Sequence, residues 1–137
     1  MSIFNLLLVT VLVGLTNNTQ VSVTDPQFFG FIETRDGRTF LRYQQDKLHG
    51  EMPVENIARI DFGYRRGQPF PLTLTLRDGR KLEVQSEYKN YVKLRGVTAV
   101  GEVWISHPDP VTVPLRLMSR APNREDDLTI QFLEFGP

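Results

Sequence analysis

Residues 70–76, FPLTLTL, alternate without a break. Phe70, Leu72, Leu74 and Leu76 fall on one parity, and Pro71, Thr73 and Thr75 on the other. Successive side chains of an extended chain point to opposite faces, so such a run buries one face and wets the other. The pattern recurs: Val111, Val113, Leu115 and Leu117 alternate with Thr112, Pro114 and Arg116, and Leu128, Ile130 and Phe132 with Thr129 and Gln131. Beyond residue 27 no window of a dozen residues carries an amphipathic helical period. Strands of this kind belong to an antiparallel sheet over a core. Pro114 cannot donate to a ladder and marks an edge strand or a bulge.

The tetrapeptide Arg-Asp-Gly-Arg occurs twice, at 35–38 and 77–80. Each copy lies between alternating runs, FFGFIET and TFLRY around the first, PLTLTL and KLEVQ around the second. Asp-Gly in that setting signals a hairpin, because the turn needs positive φ and glycine supplies it without steric cost. Both copies are therefore expected to be the same turn, with the arginines wet at the strand ends. A second echo sets Met52-Pro53-Val54-Glu55-Asn56-Ile57 against Val113-Pro114-Leu115-Arg116-Leu117-Met118, with an insertion at 96–107 in the second unit. The expected fold is all-β: an antiparallel small β-barrel or β-sandwich built from two similar hairpin units, preceded by an apolar N-terminal segment.

That segment divides the chain into residues 1–20 and a single β-domain over 21–137. From Ile3 to Leu15 ten of thirteen residues are apolar and none is charged. Thirteen residues are too few for a spanning helix, which needs about 20, but suit the apolar region of a secretory signal. No Lys or Arg precedes the run and no small-x-small site follows it, so an ordered element of the domain is the other reading. Either way the surface must be buried by the fold, by lipid or by another chain. The expected burial is by a protein partner or a second copy of the chain, or by contact with a membrane, with the segment projecting from the domain and Ile3, Phe4, Leu6, Leu7, Leu8, Val9, Val11, Leu12, Val13 and Leu15 as its contact residues. The setting expected from this is the cell envelope or secretion, with the cytoplasm as the alternative.

Composition narrows the chemistry. The chain of 137 residues suffices for one domain. It contains no Cys, which removes disulfides, thiolate nucleophiles and cysteine metal sites. Sixteen basic and sixteen acidic residues cancel, whereas nucleic-acid binders usually carry a net positive charge. The two histidines, His49 and His107, have no metal-ligand spacing around them. Ser86, Ser106 and Ser119 lack a nucleophile elbow, and no phosphate-binding glycine motif occurs. The run Glu125-Asp126-Asp127 reads as a wet loop. No cofactor and no metal are expected.

Tyr64-Arg65-Arg66 and Tyr88-Lys89-Asn90-Tyr91 place aromatic rings beside cations in loop-like stretches. They make Tyr64, Arg65, Arg66, Tyr88 and Tyr91 a possible ligand face. Phe28, Phe29 and Phe31 read as strand core, and Trp104 as a core anchor. The function expected is non-catalytic: a β-domain for protein binding or assembly, acting through sheet edges and the N-terminal segment. One alternative is a hydrolase with clustered carboxylates in a barrel cleft. Another is a small-barrel nucleic-acid binder with Arg65, Arg66, Lys89 and Lys93 in one basic stripe.

Overall fold

The computed structural model describes residues 10–15, 18–63, 69–87, 91–107 and 130–136. Among them lie eleven strands: β1 (Thr10–Leu15), β2 (Gln20–Gly30), β3 (Ile32–Arg35), β4 (Arg38–Gln45), β5 (Leu48–Pro53), β6 (Ile57–Phe62), β7 (Pro71–Leu76), β8 (Lys81–Ser86), β9 (Val92–Thr98), β10 (Gly101–His107) and β11 (Ile130–Phe135). A single 3-10 turn, Val54–Asn56, joins β5 to β6. All pairings are antiparallel, in the order β10-β9-β2-β1-β11-β6-β7-β8-β4-β3, with β5 on the other edge of β4. The sheet curls into a half-barrel.

Its concave side is the core. Val11, Val13 and Leu15 of β1, Leu72 and Leu74 of β7, and Leu94 of β9 are each at most 1% exposed. Parity selects them, as alternation in the sequence requires. The rings of Phe28, Phe31, Phe70 and Phe135 fill the interior, with centroids 6.4 Å apart for Phe31–Phe70 and 6.3 Å for Phe28–Phe135.

The apolar N-terminal run meets this core directly. Residues 10–15 run within the sheet, between β2 and β11 (Val11↔Val23, Val11↔Phe135), and do not project from it. Ile3, Phe4, Leu6, Leu7, Leu8 and Val9 lie outside the described residues.

The two Arg-Asp-Gly-Arg copies both turn hairpins, but they are different turns. In the first, Arg35 and Arg38 are the last ladder pair and only Asp36 and Gly37 form the loop. Both have positive φ, 51° and 78°, as a type I′ turn requires. In the second, the Leu76 N–H donates to the Arg80 carbonyl (2.8 Å) and the Gly79 N–H to the Leu76 carbonyl (2.9 Å). The loop is then Arg77-Asp78-Gly79, with positive φ at Gly79 alone (93°), the pattern of a type I turn closed by a glycine bulge. The neighbours decide. In the first copy the Arg35 guanidinium meets Glu51 at 2.9 Å and lies 4.6 Å from the Phe40 ring, holding Arg35 in the ladder. In the second, Arg77 is drawn out of the ladder: it donates to the carbonyls of Glu55 (3.3 Å) and Gly136 (2.5 Å). Val113–Met118, the second half of the expected duplication, lies outside the described residues.

Phe31 is a corner. β2 stops at Gly30 and β3 begins at Ile32, so one run of chain serves first beside β1 and β9 and then beside β4. Gly30 has φ 120°, and a Cβ there would collide with the Tyr91 carbonyl. The same carbonyl accepts the Phe31 N–H at 3.0 Å, and the Phe31 carbonyl accepts the Arg42 N–H at 2.8 Å. The Phe28 N–H is met by Thr34 Oγ1 at 3.0 Å, across the inside of the bend.

Candidate functional site

β2 changes parity along its length. Val23 is buried, yet so are Pro26 and Phe28, five and fewer residues on with the opposite parity. The cause is a bulge: the register with β9 shifts between Thr24 and Gln27, and Asp25 has φ 53°. An extra residue in one strand resets which face its side chains occupy. The consequence is that Phe29 points outward and is 41% exposed, not a core residue as the apolar string FFGF suggests.

Trp104 is outward as well. Val103 and Ile105 of β10 are buried, so Glu102 and Trp104 take the other face. The Trp104 ring stacks on Phe29 with centroids 6.0 Å apart and planes 25° from parallel. It is therefore not a core anchor but half of a two-ring platform on the convex side. Lys93, opposite Phe29, brings its ammonium to 5.6 Å from the Trp104 centroid, and Arg95, opposite Trp104, its guanidinium to 5.5 Å. Both are within cation–π reach. Arg95 Nε also donates to Glu102 Oε2 at 2.9 Å. Beside the rings runs an open groove of about 230 Å³, lined by Asp25, Gln27, Arg95, Gly96, Val97 and Glu102.

The loop residues expected to form a ligand face, Tyr64, Arg65, Arg66 and Tyr88, lie outside the described residues, as does Lys89. The chain leaves the described structure at Gly63 and Glu87, close to two residues that are locked together. The Phe70 N–H donates to Ser86 Oγ (2.9 Å), and the Ser86 N–H to the Phe70 carbonyl (2.9 Å). Ser86 is thus a buried strand latch. Tyr91 is half-buried, with its carbonyl at the Phe31 corner. Of the basic stripe, only Lys93 is described, and it belongs to the Trp104 platform.

Elsewhere the charges are arranged in pairs. Arg42 meets Glu33 (3.3 Å) and Glu51 (3.7 Å) on the outer face of β3–β5, and Arg38 meets Glu55 (3.0 Å). His49 Nδ1 contacts Glu87 and not the neighbouring Glu51. The Asp78 carboxyl is held below its ordinary value, first by the backbone N–H of Arg80; the Arg80 guanidinium adds to this and desolvation opposes it. Among the described residues no three His, Asp or Glu side chains converge as a metal site, and no helix is long and apolar enough to cross a membrane.

Comparison with protein-family models, with curated proteins and with solved structures finds no match for this chain. Sequence reasoning missed the Phe29–Trp104 platform, though two signals pointed to it. Asp25-Pro26 inside a strand marks a bulge, and Glu102 and Ser106 share Trp104's parity while Val103 and Ile105 take the other.

Proposed function

We propose that this chain is a non-catalytic β-domain that binds protein, with the convex face of β2, β9 and β10 as its binding surface. The carrying observation is the Phe29–Trp104 stack: two large rings on the outer face of β2 and β10, across β9, with β10 the sheet's terminal strand. Aromatic and Arg side chains of this kind dominate protein interfaces. Main-chain groups at a sheet edge add directional affinity for an extended partner.

The charges around the platform favour protein over nucleic acid. Lys93 and Arg95 are matched by Asp25 and Glu102, so the patch has no net charge with which to attract phosphates. A hydrolytic reading is weakened by the engagement of Glu102 with Arg95. Envelope residence rests on the apolar run 3–15, part of which, Val11, Val13 and Leu15, is already used by the domain's own core. Descent from two hairpin units is likewise our reading, supported by the repeated tetrapeptide and the shared Pro spacing.

The test is site-specific photo-crosslinking in living cells, with benzoylphenylalanine at position 29 and, as a control, at the exposed Glu134 of β11. Protein adducts at position 29 and none at 134 are expected. Absence of protein adducts at position 29 would overturn the binding surface.

A further inference from the structure

β10, β3 and β5 are the strands that pair on one side only among the described residues; β3 has only four residues, and the two longer strands differ in how the open edge is treated. β5, LHGEMP, ends in Pro53, which has no N–H to offer and blunts an edge against further pairing. β10, GEVWISH, has neither Pro nor Lys along its seven residues. An unprotected edge is a template for another strand.

The partner that fits is a second copy of the chain. We infer that β10 pairs antiparallel with β10 of another molecule about a two-fold axis, so that the two curled sheets become one. This rests on the binding surface proposed above and names its occupant. A two-fold axis across a strand edge makes the pairing antiparallel and self-complementary. Pairing all seven residues from Gly101 to His107 puts the axis at the midpoint, Trp104. Faces then match: Val103 lies opposite the second copy's Ile105 on the concave side, and Glu102 stands in register with its position 106.

Two features of the platform acquire a purpose in this arrangement. Trp104 of each copy faces the other directly across the axis, and with Phe29 behind each the four rings form one continuous row. Residues directly opposite in adjacent strands bring their Cβ atoms to about 5 Å. The charges complement each other too. Ser106 pairs with Lys93 on β9, so the second copy's Glu102 lies two strand spacings from Lys93, within the combined reach of the side chains. No ion pair within the chain engages Lys93 among the described residues.

Trp104 is the chain's only tryptophan, so a tryptophan–tryptophan signal can arise only between molecules. Sedimentation velocity on the purified full chain should show a concentration-dependent dimer, and far-UV circular dichroism an exciton couplet that fades on dilution in step with it. Trp104→Ala should raise the dimer dissociation constant about tenfold or more. Lys93→Glu and Glu102→Lys should each weaken the dimer alone, because each puts like charges across the axis twice. An equimolar mixture of the two variants should recover it, because the mixed dimer has two opposite-charge pairs. A monomer at all concentrations, a dimer without the couplet, or a mixture no tighter than its components would overturn the pairing. A monomer that still yields protein adducts at position 29 in cells would refute self-pairing while leaving the binding surface intact.

Discussion

Phe132 and Gly14 face each other across β1 and β11, and the phenylalanine ring occupies the space that a side chain at position 14 would need. The Arg59 guanidinium lies over the same ring, 3.9 Å from its centroid. Glycine at 14 therefore serves room, not flexibility. Gly14→Ala is expected to cost about 1–3 kcal/mol, the range for overpacking a filled site. Adding Phe132→Leu should return part of the loss, as a double-mutant cycle in urea unfolding would read out. Additive losses would show that the ring yields more freely than its packing implies.

The two Arg-Asp-Gly-Arg turns separate under the same substitution. Asp36 has φ 51° and Asp78 has no positive φ, so a β-branched side chain is strained at one and tolerated at the other. Asp36→Val should cost about 1–3 kcal/mol, and Asp78→Val clearly less. Equal losses in thermal unfolding would contradict the assignment of two turn types.

Asp78 also gives a signed pH dependence. Its folded pKa lies below the ordinary 3.8, so its charge favours the folded state. That contribution is complete above the unfolded value and disappears as pH falls through the lowered folded one. The stability difference between the native chain and Asp78→Asn should therefore be flat from neutral pH down to the ordinary carboxylate range, then close below it. Urea unfolding at a series of pH values measures this. A difference that grows on acidification would reverse the sign.

Deleting residues 1–20 should destroy cooperative folding. The deletion removes Val11, Val13 and Leu15, all buried in the core, and each is worth roughly 1.5–3 kcal/mol in burial alone. The sum rivals the 5–15 kcal/mol or so that typically holds a domain together. It also parts β2 from β11. Circular dichroism should show no cooperative melt; a truncated chain that melts like the full one would mean that the sheet closes without β1.

The alternation of Leu72, Leu74 and Leu76 and the two Asp-Gly dipeptides were sufficient to read the hairpins, because periodicity and turn chemistry are local. The central place of β1 was not readable. An uncharged run such as VLVGL looks the same whether its neighbours are strands, lipid or another chain, and strand order is set by contacts far apart in sequence. The platform was hidden for another reason. The bulge at Asp25 inverts parity, so an unbroken count from Val23 places Phe29 inside when it is outside. Tyr64, Arg65, Arg66 and Tyr88 lie outside the described residues, whereas Trp104, read as core, is a half-buried ring on the outer face beside the exposed Phe29.

The seam between β1 and β11 joins residues more than a hundred positions apart, Val11 with Phe135 and Val13 with Leu133. During synthesis β1 leaves the ribosome well before β11, its second neighbour. At the usual rate of translation the interval is on the order of ten seconds, during which a Val- and Leu-rich strand has only β2 for company. The nascent chain is thus most prone to sticking to other chains while it is incomplete. The second edge of β1 is covered only when β11 enters the seam.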